Sequence, residues 1–121
     1  MTSCVLVVDD DRPTRSIVAD ILGEAGCEVL LASNGTEALA HLRYRAPDVL
    51  ITDLNMPGLD GWSLLKACRK SRKLKRMPIV VMTAEPNAEE PSLAALGVRR
   101  VVAKPFDALA LLSIITGLIA A

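Results

Sequence analysis

Aromatic side chains are scarce in this 121-residue chain, where Tyr44, Trp62 and Phe106 are the only ones. A base-stacking surface for single-stranded nucleic acid, or a pair of rings around a flavin, is therefore not expected. The chain is nevertheless 51% hydrophobic. Because so few of these residues are aromatic, the core must be built from Val, Leu, Ile and Ala. A chain of this length can bury such a core without disulfides or metals, and we expect one domain over residues 1–121.

Cysteine pairs are also lacking. Cys4, Cys27 and Cys68 are odd in number and form no CxxC motif, which predicts reduced core residues instead of a disulfide framework or a redox motif. His41 has no Cys or His at ligand spacing, so a zinc site is excluded. The N-terminus has no signal-peptide pattern. Together these features predict a cytoplasmic protein.

Neither sign of charge is in excess, because 14 basic residues balance 14 acidic ones. Direct binding of nucleic acid by this domain is therefore not expected. The local exception is the basic run at residues 69–76. We interpret it as the solvated end of a helix, where cations suit the negative end of the helix dipole.

Short apolar runs alternate with helical patterns along the chain. Strands are predicted at Cys4–Val8, Glu28–Ala32, 48–52, 79–82 and 101–103. Helices are predicted from Pro13 to the stop at Gly26, after the turn at 33–36, after a cap at Asp60, over 91–96 before Gly97, and from about Asp107. The residues before 91 are predicted to form a loop. This alternation predicts the α/β class, with a parallel sheet covered by helices on both faces.

Four of the predicted strands end in polar groups. Asp9 and Asp10 follow the first, Asp53 the third, Thr83 the fourth and Lys104 the fifth. Parallel strands point the same way, so these groups are expected to meet at one edge of the sheet. An aspartate after a strand is often only a turn or capping residue. It is the joint placement of these groups that indicates a site.

Three carboxylates at one edge repel one another and require positive charge nearby. Lys104 can supply one charge, and Mg²⁺ suits a set of oxygen ligands that lacks soft donors. A carboxylate beside a metal ion, a lysine and a hydroxyl can attack phosphorus. The pattern therefore favours phosphoryl transfer to an aspartate.

The motifs together resemble the receiver domains of two-component response regulators over nearly the whole chain. The motifs that carry this resemblance are Val7-Val8-Asp9-Asp10, Asp53-Leu54-Asn55-Met56-Pro57-Gly58-Leu59-Asp60-Gly61, Thr83-Ala84 and Lys104-Pro105-Phe106. The resemblance implies a flavodoxin-like (βα)₅ fold, a doubly wound five-stranded parallel sheet with strand order 2-1-3-4-5.

The resemblance also implies a phosphoacceptor and a metal site. Asp53 would accept the phosphoryl group from a sensor histidine kinase or a histidine phosphotransfer protein. Asp10 and Asp53 would bind Mg²⁺ directly, Asp9 would act partly through water, and Asn55 would offer its backbone carbonyl.

Further roles follow from the same resemblance. Thr83 and Lys104 would hold the phosphoryl oxygens, and the peptide bond before Pro105 is expected to be cis. The response would be a shift between two pre-existing conformations that changes a protein-interaction surface. The downstream target is not identified by the sequence.

The chain departs from the family at Val101, where an aromatic residue usually changes rotamer as the threonine moves. We hypothesise that signalling relies instead on loop and helix shifts around residues 84–97.

The last predicted helix carries no charged residue between positions 108 and 121. A run of about 14 residues is too short for a typical membrane span, and we expect no membrane association. Its apolar surface predicts a protein interface, such as a homodimer. The interface candidates are Leu111, Leu112, Ile115, Leu118 and Ile119.

Three other functions remain open. A receiver fold could serve as a binding module without phosphorylation. A haloacid-dehalogenase-type phosphatase also uses an aspartate nucleophile with Mg²⁺, but Asn55 stands where that family usually has a second aspartate. A flavodoxin-like electron carrier ranks last. In the favoured interpretation the catalysis is limited to phosphorylation and dephosphorylation of Asp53 itself.

Overall fold

The computed structural model describes residues 2–84 and 90–120. Strands and helices alternate along these residues. The strands are β1 (Cys4–Val8), β2 (Glu28–Ala32), β3 (Val49–Thr52), β4 (Ile79–Thr83) and β5 (Arg100–Ala103). The helices are α1 (Arg12–Glu24), α2 (Gly35–Tyr44), α3 (Gly61–Lys70), α4 (Glu90–Ala95) and α5 (Ala108–Ala120).

The strands form one sheet in the order β2-β1-β3-β4-β5, and every neighbouring pair is parallel. The predicted fold class and strand order are therefore confirmed. Because all strands run the same way, the ends of β1, β3, β4 and β5 lie at one edge, which we call the carboxyl edge. The edge where the strands begin is the amino edge.

Two hydrophobic cores lie on opposite faces of the sheet because side chains alternate along each strand. Val5 and Val7 of β1 join the core beneath α1 and α5, whereas Leu6 and Val8 join the core beneath α2, α3 and α4. β1, β3 and β4 are buried along their whole length. They form the buried centre of the sheet, which positions the residues at their ends.

Three helices begin at a side chain that caps the first turn. Asp11, Asn34 and Asp60 accept hydrogen bonds from the backbone N–H three residues later, at 3.1, 2.8 and 2.9 Å. These bonds satisfy N–H groups that have no partner within the helix. The predicted cap at Asp60 is confirmed, and the cap at Asp11 starts α1 two residues after Asp9.

Element boundaries differ from the predictions by one residue in several places. β4 includes Thr83, β5 begins at Arg100, and α4 covers Glu90–Ala95 instead of 91–96. The loop predicted before α4 lies in residues 85–89, outside the described residues. Gly97 has φ +76° and follows α4, as expected for a glycine that ends a helix.

The C-terminal helix corrects part of the predicted interface. Leu111 and Ile115 are fully buried against the sheet, so they are core residues and cannot form a surface. They lie four residues apart and form the stripe that α5 turns inward. Leu112, Leu118 and Ile119 are partly buried in the same core. Among the described residues, no helix has both the length and the hydrophobicity needed to cross a bilayer.

The prediction that the basic run stays solvated is wrong for Arg69 and in part for Lys73. The half-buried Arg69 guanidinium donates to the carbonyls of Leu96 at 2.6 Å and Lys75 at 2.9 Å, and to three more carbonyl oxygens at 3.2–3.3 Å. Lys73 Nζ donates to Leu42 O at 3.1 Å. Arg69 thereby ties the α3–β4 loop to the turn after α4.

Candidate phosphoacceptor site

Asp53 follows β3 directly and is only 8% exposed. Its Oδ1 accepts hydrogen bonds from the backbone N–H groups of Leu54 at 2.7 Å and Asn55 at 3.2 Å. The turn after the strand therefore folds back over the carboxylate and fixes its orientation. Its Oδ2 faces the neighbouring strand ends.

Lys104 joins the ends of three strands through its ammonium group. Nζ lies 2.7 Å from Asp9 Oδ2 and 2.8 Å from Asp53 Oδ2. Asp9 is fully buried, and the Lys104 side chain is 21% exposed. The lysine therefore supplies the positive charge that the clustered carboxylates require.

The contacts with Asp9 and Asp53 keep the Lys104 side chain protonated. Burial on its own lowers the pKa of Lys104, but the hydrogen bonds to Asp53 and Asp9 outweigh it and raise the pKa above its ordinary value. Burial raises the pKa of Asp9, and the hydrogen bonds from Lys104 and the Asp11 N–H offset this only in part. A protonated lysine is therefore held against two carboxyl groups.

A metal ion fits the same edge. Ligand oxygens of Asp9, Asp10 and Asp53 all lie within 4.8 Å of one another. Asp10 is exposed and the other two carboxylates are buried, so one side of the cluster is open to solvent. The donors are all carboxylate oxygens, as suits a hard cation such as Mg²⁺ that keeps several waters.

The other predicted site residues lie around this cluster. Thr83 ends β4 and is 3% exposed. Asn55 is exposed, with its backbone N–H directed to Asp53. The Lys104–Pro105 peptide bond is cis, as the resemblance implied. Val101 is half-buried in β5 and packs against the core beneath α4.

Two residues to which the sequence assigned no individual role also shape the site. A Cβ atom on Gly61 would lie 2.2 Å from Asp53 O and 2.6 Å from Leu54 Cα, so only glycine allows α3 to start this close to the loop. Arg15 Nη1 donates to Asp9 O at 2.7 Å. Besides its place in the family motif, a glycine at the first position of a helix, where its propensity is poor, is a local sign of a close approach.

Comparison with known proteins identifies the family to which the chain belongs. The family model described as response regulator receiver domain matches residues 5–116. The chemotaxis protein CheY of Pseudomonas aeruginosa is 40% identical over 106 residues, which cover 86% of each chain. The DNA-binding transcriptional regulator NtrC of Salmonella typhimurium is 38% identical over 104 residues, which cover 85% of this chain and 22% of that protein.

Solved structures agree with the sequence comparison. The chemotaxis response regulator CheY4 of Vibrio cholerae has a TM-score of 0.89 at 35% identity, covering 98% of this chain and 99% of that one. The receiver domain of the Francisella response regulator 1452 has a TM-score of 0.90 at 30% identity, covering 98% of both.

Proposed function

Because the chain belongs to the response regulator receiver domain family, we propose that Asp53 is the residue that receives the phosphoryl group. The chain is a phosphoacceptor receiver domain of the CheY-like type. The observation that carries the assignment is the contact of Asp53 with Lys104 at 2.8 Å, inside a cluster with Asp9 and Asp10. In the described part of the chain, no other group of three or more potential metal ligands comes together in this way.

The chemistry is a single displacement at phosphorus. A carboxylate oxygen of Asp53 attacks the phosphoryl group of a phosphohistidine, the new P–O bond forms, and the electron pair of the broken N–P bond returns to the imidazole. The N–H groups of Leu54 and Asn55 hold the attacking carboxylate in place. Such a reaction depends on positioning and on charge neutralisation more than on proton transfer.

Lys104 provides the fixed positive charge. Its ammonium already lies at Asp53 Oδ2 before any phosphoryl group arrives, so little reorganisation is needed when negative charge develops there. Thr83, at the end of the neighbouring strand, supplies a hydroxyl at the same edge. Both residues would contact phosphoryl oxygens.

We propose that Asp9, Asp10 and Asp53 hold Mg²⁺, with the backbone carbonyl of Asn55 as a further ligand. When bound, the ion neutralises negative charge on the phosphoryl oxygens. The proximity of the three carboxylates supports this ligand set. The exposure of Asp10 leaves a path for the ion to enter.

The phosphodonor protein must cover the carboxyl edge to bring its histidine to Asp53. A cavity of about 480 Å³ beside Lys104 is lined by Thr14, Ile17, Pro105 and Phe106. Ile17 is 52% exposed, so it presents an apolar surface beside this cavity. We propose that a helix of a histidine kinase or phosphotransfer protein packs on Ile17.

This docking is tested with Ile17→Glu, which places an unpaired charge in the contact. The ratio of the transfer rate from a phosphorylated histidine phosphotransfer domain to the rate from acetyl phosphate should fall about tenfold, as for loss of an interface hot spot. Tyr44→Glu is the matched control, because Tyr44 is also exposed but lies at the end of α2. Equal ratios in both variants would contradict the proposed docking surface.

The phosphoacceptor is tested by intact mass after incubation with Mg²⁺ and acetyl phosphate. One phosphoryl group should be added to the wild type and to Asp107→Asn, and none to Asp53→Asn. The adduct should be labile to hydroxylamine and should not form when the metal is chelated. Adduct formation on Asp53→Asn would refute the assignment.

Two further measurements separate the remaining alternatives. Multiple turnover of p-nitrophenyl phosphate would indicate a phosphatase instead of a receiver. If neither a phosphoryl adduct nor beryllofluoride binding is found, the fold serves as a binding module without phosphorylation.

For the output, we propose that the segment at residues 84–97 shifts on phosphorylation, because the usual aromatic residue is replaced by Val101. Hydrogen exchange with and without beryllofluoride tests this over the segment, and unchanged protection would contradict it. We also propose self-association through the remaining apolar surface of α5, where Leu109 is 77% exposed. Sedimentation that finds only monomer in both states would exclude it.

A further inference from the structure

A cleft lies at the amino edge, between the α3–β4 loop and the turn that follows α4. Its volume is about 520 Å³, within the range of ordinary ligand sites. Its walls include Arg69, Lys75, Arg76 and Arg99, and its apolar part includes Met77 and Leu96. It lies at the opposite end of β4 from Thr83, roughly 13 Å away at 3.3 Å per residue.

The cations of this cleft are not neutralised within the described residues. Lys75, Arg76 and Arg99 form no ion pair among the side chains of residues 2–84 and 91–120, where the pairs present are those of Arg45 with Glu28 and of Lys104 with Asp9 and Asp53. Arg69 is bound by carbonyl oxygens, which solvate its charge without cancelling it. Four positive charges therefore line one cleft.

The two chain segments that supply the residues lining the cleft are poor in carboxylates. Residues 61–84 and 91–106 contain no Asp or Glu, although they contain 10 of the 14 basic residues. Burial lowers the pKa of Arg69, and the charge of Arg99 lowers it further. Like charges in a concave surface focus the field and attract an anionic partner.

The chemistry of the lining favours an acidic protein segment over a nucleic acid strand. The floor is formed in part by Met77, which is 6% exposed, and by the half-buried Leu96. Aliphatic side chains suit an apolar side chain of a peptide. Single-stranded nucleic acid requires aromatic surfaces on which bases stack, and no aromatic residue lines this cleft.

We propose that this cleft is a docking site for an acidic segment of a partner protein. Carboxylates of the segment pair with Arg76 and Arg99, and an aliphatic side chain packs on Met77 and Leu96. The proposal does not rest on phosphorylation of Asp53, because the two sites lie at opposite edges of the sheet. One wall of the cleft is the turn after α4, so occupancy and the position of α4 are linked.

The test uses a fluorescein-labelled hexapeptide, Glu-Leu-Asp-Glu-Leu-Asp, and ¹⁵N NMR titration of the full chain at low and at physiological salt. Saturable shifts are expected at residues 75–77 and 96–99. The peptide Gln-Leu-Asn-Gln-Leu-Asn, which is uncharged, should bind at least about tenfold more weakly. The same tenfold weakening is expected for the acidic peptide with Arg76→Ala/Arg99→Ala, since each pair contributes a few-fold at low salt.

The matched control is Arg43→Ala/Arg72→Ala, which removes the same charge from exposed positions outside the cleft. Unchanged binding by this control and loss by the cleft variant would support the site. Equal loss in both variants would overturn the proposal, because the attraction would then be unspecific. Tighter binding of an oligothymidylate than of the acidic peptide, or no saturable shift with the peptide, would overturn it as well.

Discussion

The two edges of the sheet differ in whether their charged side chains are paired within the chain. At the carboxyl edge, Lys104 contacts Asp9 and Asp53 at 2.7 and 2.8 Å, and both carboxylates are buried. At the amino edge below β4 and β5, cations line a cleft, and no carboxylate from the side chains of residues 2–84 and 91–120 pairs with Lys75, Arg76 or Arg99. Lys104, Asp9 and Asp53 at the carboxyl edge therefore form a closed network, in which each has a partner of opposite sign, whereas the cations at the amino edge are left for a partner to neutralise.

This difference matches the function that we propose for each edge. A reaction at phosphorus needs charges that are already in place before the substrate arrives, and a closed network of short hydrogen bonds holds them there. Recognition of a partner needs charges that are not yet compensated, because the partner must supply the opposite sign. Parallel strands separate the two tasks, since each strand has one end at each edge.

The largest expected effect is that of Lys104→Met, which opens the closed network. Asp9 would keep a buried carboxylate without a cation, so the free energy of unfolding should fall by about 2 to 3 kcal/mol. This is less than for a fully buried pair because the lysine is 21% exposed. The rate of phosphorylation by acetyl phosphate should fall by about 10²-fold.

Urea unfolding with and without saturating MgCl₂ checks this prediction. The metal should stabilise Lys104→Met more than the wild type, because it replaces the missing positive charge. Lys66→Met, on the exposed surface of α3, is the control and should behave as the wild type. An equal effect of the metal on both proteins would argue against Lys104 as the neutralising group.

The next effect tests how tightly the carboxyl edge is packed. In Gly61→Ala the added methyl group would meet the backbone of Asp53 and Leu54 at 2.2 and 2.6 Å. Because backbone atoms must move, the free energy of unfolding should fall by about 1 to 3 kcal/mol.

Gly23→Ala provides the matched control for that variant. A Cβ atom at Gly23 meets no atom within 4 Å, and alanine should stabilise the helix by up to about 1 kcal/mol. Thermal unfolding should therefore shift in opposite directions for the two variants. A rise in melting temperature for Gly61→Ala as well would mean that the close approach at Gly61 has no energetic consequence.

The amino edge is tested with Arg69→Met, which removes the bonds to five carbonyl groups. The free energy of unfolding should fall by about 2 kcal/mol, as for hydrogen bonds to charged groups. Amide hydrogens of Gly97 and Val98 should exchange faster, because the turn after α4 loses its anchor. Lys70→Met, the exposed neighbour, should leave both quantities unchanged.

The smallest effect concerns a charge that is exposed. The Ser63 N–H bonded to the Asp60 carboxylate lowers the pKa of that carboxyl group. Asp60→Ala should cost about 1 kcal/mol at neutral pH through loss of the cap. A lowered folded-state pKa means that the stabilisation is present above the unfolded pKa of about 3.9 and is lost as the pH falls through the folded pKa.

The difference in melting temperature between wild type and Asp60→Ala should therefore shrink below about pH 4. Asp60→Asn keeps a cap without the charge, so its difference from Asp60→Ala should be nearly independent of pH. A constant difference between wild type and Asp60→Ala would show that the charge of the cap is irrelevant.

Much of the carboxyl edge follows from the sequence because strand ends and turns are local features. Asp9, Asp53, Thr83 and Lys104 each follow a run of apolar residues, and parallel strands bring such ends together whatever the details of packing. The caps at Asp11 and Asp60 are local in the same sense, since a side chain and an N–H three residues away form each bond.

Other features depend on contacts between distant parts of the chain. The inward stripe of α5, at Leu111 and Ile115, depends on how the helix is rotated against the sheet, so an entirely apolar helix does not reveal it. Arg69 reaches carbonyl groups up to 28 residues away, and Gly61 packs against the backbone of the loop after β3. The sequence alone therefore determined the fold and which residues meet at the proposed phosphoacceptor site. Only the tertiary structure decided which apolar and basic side chains are buried, because burial depends on which face each element turns toward its neighbours.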